Sequence, residues 1–190
     1  MRLTGGNERG RRIRAPRGLG TRPTAAKVRE ALFNILGPPP DGAVLDLFAG
    51  TGSLGIEALS RGAGRAVFIE RDRQALVALR ENLKALSLGD RATVVAADVK
   101  TGLRRLAVSL GHEDRFSWVF LDPPYASDGP SVTDAVLAEL TERNLLARSA
   151  VVMVEHDAHH RPPASVGGLF LTDRREYGET ELSFYRSGHS

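Results

Sequence analysis

The sequence predicts an α/β fold in which a mostly parallel sheet is covered by helices on both faces. Five short apolar runs alternate with segments of helical spacing, and the runs are apolar throughout instead of alternating with polar residues. Uninterrupted apolar strands are typical of parallel sheets that are buried on both faces. The predicted strands are 43–48, 66–70, 93–98, 118–122 and 150–155, and the predicted helices between them are 53–59, 72–86, one that ends near 110, and 131–140.

The last part of the chain departs from this alternation. Residues 170–177 and 180–185 form two β-like runs, and Gly178 and Glu179 between them suit a tight hairpin turn. We therefore expect the sheet to end in an antiparallel C-terminal hairpin.

The first 40 residues are expected to form an N-terminal extension. Residues 1–20 are rich in glycine and arginine, which suits a small hairpin or a flexible arm. Thr24 is predicted to cap a helix that ends at the Gly-Pro-Pro-Pro sequence 37–40. We expect residues 1–40 to be a basic arm and helix, and residues 41–190 to be the catalytic domain. The apolar face of that helix is predicted to contain Val28, Leu32, Ile35 and Leu36, and the opposite face Lys27, Glu30 and Asn34.

Positive charge is concentrated at the start of the chain. Residues 1–30 contain nine Lys/Arg and two Glu, a net charge of +7, whereas the remaining residues have a net charge of −4. Such a cationic segment suggests a polyanionic partner, because neutralising phosphates releases counterions; a solvated tail is the alternative. Arg29 has a second interpretation, as the partner of a core carboxylate. The candidate RNA-binding residues are Arg11, Arg12, Arg22, Lys27 and Arg29.

Composition excludes several classes of protein. No apolar run approaches the roughly 18 residues of a membrane span, and no secretion signal is recognisable, so we expect a cytoplasmic protein. The sequence contains no cysteine, which rules out disulfides and thiolate metal sites. His156, His159 and His160 cluster, but their segment is more typical of a loop than of a metal site, so no metal is expected.

A glycine-rich loop follows the first predicted strand. Residues 50–55 have the pattern G-x-G-x-x-G and lead into a predicted helix. Glycines let the backbone approach a ligand closely, and Glu70, about 20 residues further on, can bind ribose hydroxyls. Taken alone, this loop suits NAD and S-adenosylmethionine equally well.

Asp46 favours S-adenosylmethionine over a dinucleotide. It lies four residues before the first glycine, at the strand end that faces the ligand. A pyrophosphate there would bring like charges together at a cost of roughly 4 kcal/mol, whereas S-adenosylmethionine brings a sulfonium and an ammonium group. The alternative is an Asp that caps the following turn. By the same reasoning, Asp98 at the end of the third strand is predicted to bind the adenine amino group.

The sequence Asp-Pro-Pro-Tyr follows the fourth predicted strand, at the edge where open α/β sheets bind ligands. Asp122 and the main-chain carbonyl of Pro123 can accept hydrogen bonds from an amine, which returns electron density to a nitrogen whose lone pair is delocalised. The prolines fix the backbone and preorganise these acceptors, and Tyr125 can stack on an unpaired base. Direct methyl transfer to an exocyclic amine is therefore predicted, with an incidental Pro-Pro turn as the alternative. The candidate catalytic residues are Asp122, Pro123, Pro124 and Tyr125.

These motifs together resemble one known family, the RsmD family of bacterial 16S ribosomal RNA guanine-N2 methyltransferases. The block at 21–36 is more particular to this family than the glycine loop or the Asp-Pro-Pro-Tyr sequence. The opening RLTGGNERG departs from the more apolar, RIIGG-like start that the family leads us to expect. The resembling segments are GRRI at 10–13, TRPTAAKVREALFNIL at 21–36, LDLFAGTGSLGIEALSRGA at 45–63, FIERD at 68–72, LDPPY at 121–125 and YGETELSFY at 177–185.

The resemblance implies a class I S-adenosylmethionine-dependent methyltransferase fold, which is Rossmann-like with a seven-stranded sheet. It also implies an N-terminal extension that helps to grip RNA, and a guanine of 16S rRNA in a partly assembled small subunit as the substrate. We expect a monomer. Residues 122–125 fall on the family's catalytic motif. The predicted cofactor-binding residues are Asp46, Phe48, Gly50, Gly52, Glu70, Arg71, Asp98, Val99 and Asp122.

Three other functions stay open at this point. The same chemistry could act on another amine, either adenine N6 in DNA or a protein glutamine side chain. A nucleotide-binding RNA chaperone that has lost its chemistry is a second alternative, although Asp46 and the intact sequence 122–125 speak against it. An NAD-dependent dehydrogenase is the third.

Overall fold

The computed structural model describes most of the chain. A mostly parallel sheet forms its centre, with helices on both faces. The described residues are 1–14, 23–40, 42–109, 111, 115–123, 129–159 and 161–188. The helices are α1 (Pro23–Leu36), α2 (Ser53–Ser60), α3 (Arg73–Ala85), α4 (Val99–Ser109) and α5 (Gly129–Glu142). The strands are β1 (Ala43–Leu47), β2 (Arg65–Glu70), β3 (Ala92–Ala96), β4 (Phe116–Leu121), β5 (Leu146–Asp157), β6 (Ser165–Val166), β7 (Leu169–Tyr177) and β8 (Thr180–Ser187).

The sheet has the order β3-β2-β1-β4-β5-β8-β7-β6. The first five strands are parallel, whereas β8, β7 and β6 pair in antiparallel fashion. This confirms the predicted α/β class and the antiparallel C-terminal hairpin. The sheet gains one strand over the seven expected, because β6 is a two-residue strand that pairs with β7. Within the described ranges, no helix is long and apolar enough to cross a membrane.

Each face of the sheet buries its own apolar cluster. Because successive strand residues point to opposite faces, Val44 belongs to one cluster and its neighbour Leu45 to the other. The first cluster lies under α1, α2 and α3, and the second under α4 and α5. Helices therefore cover both faces of the parallel strands, as their uninterrupted apolar sequences predict.

The start of the chain forms a small hairpin, residues 1–14, here called the N-terminal hairpin. Arg2 and Arg12 form an antiparallel bridge, and the Leu3 amide donates to the Arg11 carbonyl at 3.0 Å. Leu3 and Ile13 are buried in the first apolar cluster, together with side chains of α1 and α2. Of the two arrangements expected for this segment, the structure shows the hairpin, and it packs into the same core as the predicted catalytic domain.

Helix α1 corrects two expectations. It begins at Pro23, so Thr24 lies inside the helix and is not its cap. Ile35 is 41% exposed, whereas Phe33, which was left out of the predicted apolar face, is buried. The reason is that the buried face of the helix is centred on Val28, Arg29, Leu32 and Phe33, and so includes the charged Arg29 in place of Ile35. The predicted polar face is confirmed, with Lys27, Glu30 and Asn34 all exposed.

A buried carboxylate on α2 joins three segments of the chain. The Glu57 carboxylate accepts hydrogen bonds from the Thr4 amide at 2.9 Å and the Thr4 hydroxyl at 2.7 Å. It also forms ion pairs with Arg29 of α1 at 3.4 Å and with Arg61 at 2.9 Å. Arg29 in turn donates to the Arg2 carbonyl at 2.6 Å. The N-terminal hairpin, α1 and α2 are therefore fastened to one another through Glu57.

We expect Glu57→Ala to lower the free energy of unfolding by about 3–5 kcal/mol, because it leaves the Arg29 guanidinium buried without its ionic partner. Urea unfolding followed by circular dichroism measures the change. The matched control is Glu139→Ala, which removes a more exposed ion pair with Arg143 on α5 at 2.9 Å. That change should cost less than about 1 kcal/mol. Equal losses in the two variants would contradict the role given to Glu57.

Candidate active site

The glycine loop, residues 50–55, connects β1 to α2. Gly50 and Gly52 both have positive φ, 54° and 85°, a region that favours glycine. At Gly52 a Cβ atom would lie 2.4 Å from Leu79 Cδ1 of α3. At Gly55 a Cβ atom would lie 2.3 Å from the Phe68 ring of β2. Two glycines of the predicted motif are therefore required by close packing against α3 and β2.

Asp46 lies near the end of β1 and is 2% exposed. Its Oδ2 accepts a hydrogen bond from the Gly55 amide at 2.8 Å, in the first turn of α2. Gly52, at the N-cap position of this helix, has no side chain that could accept a hydrogen bond from it. Asp46 therefore caps α2, which was the alternative considered for it. Burial raises the pKa of Asp46 to about 8; the nearby Glu70 charge adds to the rise, and the Gly55 hydrogen bond opposes it.

Glu70 ends β2 and organises the backbone around the glycine loop. Its Oε2 accepts from the Gly50 amide at 2.7 Å, and its Oε1 accepts from the amides of Arg71 and Asp72, each at 2.7 Å. Because a carboxylate has about four lone-pair positions, it retains the capacity to accept from a ligand hydroxyl. The structure thus brings Glu70 to the loop, as predicted, and gives it a structural part that the sequence had not indicated.

Asp122 follows directly after β4 and is partly buried, as is Pro123. Burial raises the pKa of Asp122 well above its usual value, and the charges of Glu155 and Asp46 raise it further. Two of the candidate catalytic residues, Pro124 and Tyr125, lie outside the described residues.

The acidic residues Asp46, Asp122 and Glu155 meet at the carboxyl ends of three neighbouring strands. Leu121 pairs with Val154, so Asp122 and Glu155, which follow them, lie side by side; Asp46 pairs with Phe120, two positions before Asp122 and on the same face of the sheet. Glu155 was not predicted from the sequence, although it directly follows an uninterrupted apolar run, as Asp122 does. Burial and repulsion by neighbouring acids disfavour the ionisation of Asp46 and Asp122, so a ligand that brings positive charge would favour their ionised forms.

The other four predicted cofactor-binding residues differ in their exposure and contacts. Phe48 has a φ of 58°, a strained backbone conformation for a bulky residue beside a candidate site. Arg71 is exposed. Asp98 is exposed and caps α4, and the Thr101 amide and side chain hold the pKa of its carboxyl below the usual value. The Val99 side chain is buried in the second apolar cluster, so only its backbone could meet a ligand.

Three of the predicted RNA-binding residues are exposed: Arg11, Arg12 and Lys27. The Arg11 guanidinium already has two protein partners, Glu8 at 2.8 Å and the Ala85 carbonyl. Arg22 lies outside the described residues. Among the described residues of this set, Arg12 and Lys27 are the most accessible to a phosphate.

Arg29 requires a correction. It is 3% exposed and paired with Glu57, so its guanidinium is not accessible to a phosphate. Burial lowers the pKa of Arg29, and the Glu57 charge opposes this effect. The second interpretation given above, a partner for a core carboxylate, is the one that the structure supports.

The histidine segment forms no metal-like cluster within the described ranges, which include His156 and His159 but not His160. His156 is buried, and its Nε2 lies 2.8 Å from the Ser183 hydroxyl. His159 is exposed and contacts Asp157 at 2.9 Å. The two described rings therefore have separate environments.

Comparison with known proteins places this site in a family. The family model described as "Conserved hypothetical protein 95" matches residues 1–186. The chain belongs to this family. Its relatives include "Ribosomal RNA small subunit methyltransferase D" of Escherichia coli strain K12, which is 34% identical over 98% of this chain and 89% of the relative. This confirms the resemblance to the RsmD family.

Two further comparisons cover the chain as completely. YlbH of Bacillus subtilis strain 168 is 40% identical over 98% of both chains. The solved structure of yhhF from Escherichia coli has a TM-score of 0.81 and 34% identity, and covers 100% of this chain and 99% of its own. The likeness therefore extends over the N-terminal hairpin as well as the sheet.

We expect the stability of the ligand-free protein to fall as pH rises from about 5 to 8, because the folded state keeps a proton on Asp46 that the unfolded chain has already lost. A raised pKa makes the folded state bind more protons, so this contribution is at most about 1.4 kcal/mol per pH unit. Asp46→Asn keeps an acceptor for the Gly55 amide and removes the titration. In urea unfolding across this range, the variant should show a shallower decline; an unchanged slope would contradict the expectation.

Proposed function

We propose that this chain is an S-adenosylmethionine-dependent methyltransferase that methylates the exocyclic N2 amine of a guanine in 16S ribosomal RNA. The observation that carries the proposal is the pair of acids beside the glycine loop, the buried Asp46 near the end of β1 and the partly buried Asp122 directly after the adjacent strand β4. The name of the Escherichia coli relative, a small-subunit ribosomal RNA methyltransferase, supports the substrate class.

The residues present fit S-adenosylmethionine better than a dinucleotide. The sulfonium and ammonium groups of this cofactor would favour the ionised forms of Asp46 and Asp122, whereas a pyrophosphate would disfavour them further. Glu70 is placed to accept from ribose hydroxyls, and the glycines of the loop let the backbone approach the ligand. The predicted contacts of Asp98 with adenine, and of Phe48, Arg71 and Val99 with the cofactor, belong to this proposal.

Asp122 and Pro123 would prepare the target nitrogen. When bound, the cofactor supplies an activated methyl group on sulfur. The Asp122 carboxylate and the Pro123 carbonyl accept hydrogen bonds from the guanine amine, which makes its nitrogen more nucleophilic. Positive charge bound beside Asp122 would oppose the rise in its pKa, so that the ionised carboxyl could take the proton that the nitrogen releases when it is methylated. Pro124 would fix the backbone and Tyr125 would stack on the base.

The exposed arginines and lysine of the extension would hold the RNA. Arg12, Arg14 and Lys27 are exposed at the start of the chain, on the part that carries the net positive charge. Arg11 and Arg22 complete the proposed set, and Arg29 does not belong to it. We propose an assembling small subunit in the cytoplasm as the natural substrate and a monomer as the active species.

The deciding experiment is transfer of labelled methyl from S-adenosylmethionine to small subunits that lack their own modification, followed by nucleoside analysis. We expect labelled N2-methylguanosine from the wild type and a rate lower by about 100- to 1,000-fold for Asp122→Asn, because one hydrogen-bond acceptor is weakened. S-adenosylhomocysteine binding by the variant is the control for folding. Label in adenine of DNA or in a protein glutamine, and none in ribosomal RNA, would replace the proposed substrate.

The salt dependence of RNA binding tests the part given to the N-terminal extension. Replacing Arg12 and Lys27 by alanine should lower the affinity for small-subunit RNA and reduce the slope of log K against log salt by about one unit for each phosphate that is no longer neutralised. Filter binding at several salt concentrations measures the slope. Arg105→Ala is the control, because Arg105 is exposed on α4, on the other face of the sheet. The same slope in all three proteins would show that Arg12 and Lys27 face solvent.

A further inference from the structure

We propose that Asn82 of α3 is a positioning residue that couples RNA binding by the N-terminal hairpin to cofactor binding by the glycine loop. The inference rests on the function proposed above and adds a link between its two ligands. It is carried by the hydrogen bonds of one buried side chain, which reaches both segments.

The Asn82 side chain is 2% exposed and uses its whole amide. Its Oδ1 accepts from the Arg14 amide at 2.8 Å, and its Nδ2 donates to the Arg14 carbonyl at 3.0 Å. The same Nδ2 donates to the Thr51 carbonyl at 3.1 Å. Asparagine offers one acceptor and two donors on a short stem, which is the set that this bridge needs.

On the cofactor side, Asn82 holds the middle of the glycine loop. Thr51 lies between Gly50 and Gly52, the two residues with positive φ. Leu79, one turn earlier on α3, packs so closely against Gly52 that a Cβ atom there would lie 2.4 Å away. Helix α3 therefore contacts the loop twice, and a shift of Asn82 changes the position of the loop backbone.

On the RNA side, Asn82 holds the last described residue of the N-terminal hairpin. The Arg14 side chain is 80% exposed, and its contact with Glu81 is long, at 4.0 Å, so the guanidinium is accessible to a phosphate. The main chain of Arg14, in contrast, is fixed at both its amide and its carbonyl by the one side chain of Asn82. A phosphate that holds the Arg14 side chain also restricts the backbone to which Asn82 is bound.

The coupling follows from conformational entropy. RNA that restricts Arg14 also restricts Asn82 and, through it, the Thr51 carbonyl, so that the cofactor loop has less freedom left to lose when its ligand binds. Because linkage is reciprocal, bound cofactor tightens RNA binding by the same factor.

The test compares the affinity for labelled S-adenosylhomocysteine in equilibrium dialysis, with and without saturating small-subunit particles that lack the modification. The wild type should bind at least about fivefold more tightly when the particles are present. In Asn82→Asp, which retains the acceptor but loses both donors, this ratio should fall to about one. Asn82→Ser is the second variant, since a hydroxyl is too short to reach both carbonyls. Thermal melting shows which variant is folded.

Arg14→Ala tests the RNA end of the link, because it removes the guanidinium and keeps the amide and carbonyl that Asn82 binds. It should weaken particle binding and lower the ratio towards one, while S-adenosylhomocysteine binding without particles stays at the wild-type value. A purely structural role for Asn82 would weaken S-adenosylhomocysteine binding equally with and without particles, and the inference would then be wrong. A wild-type ratio of one overturns the inference alone, whereas a wild type that binds neither ligand overturns the proposed function as well.

Discussion

The arrangement of this protein depends on the burial of one charged group, the Glu57 carboxylate. It lies between α1 and the N-terminal hairpin and pairs with Arg29, Arg61 and Thr4. An isolated charge at this depth would be strongly unfavourable, so the three segments must assemble together around it. As a result, the N-terminal hairpin becomes a fixed part of the core. Arg14, at the end of the hairpin, then contacts α3, the helix that supports the glycine loop.

The candidate active site combines several features that are unfavourable without a ligand. Acids from neighbouring strands repel one another, and the backbone of Phe48 has a strained conformation. Such features persist because the surrounding sheet and helices fix them in place, and a cationic ligand relieves the repulsion when it binds. The folded protein therefore holds these unfavourable features before any ligand binds.

The sheet and the glycine loop could be predicted from the sequence because they depend on local patterns. Apolar runs define β1, β2 and β4, and the spacing of glycines identifies the turn that follows β1. Arg29 and Glu57 could not be assigned in the same way, since a charge on a helix is usually solvated and its burial depends on a partner far along the chain. Asn82 was missed because its partners, Arg14 and Thr51, also lie far from it along the chain. Asp46 shows a further limit, because its carboxyl caps α2, and that contact depends on how the first turn of α2 packs against β1.

The outermost strand at each edge of the sheet is short. The strand β3 at one edge has five residues, and β6 at the other has two. A long, flat edge offers unpaired amides and carbonyls that a strand of another molecule can join, which is a common start of aggregation. The small strand β6 pairs with Leu169 and Phe170 and shields that end of β7, so intermolecular pairing at this edge is limited to the remaining residues of β7.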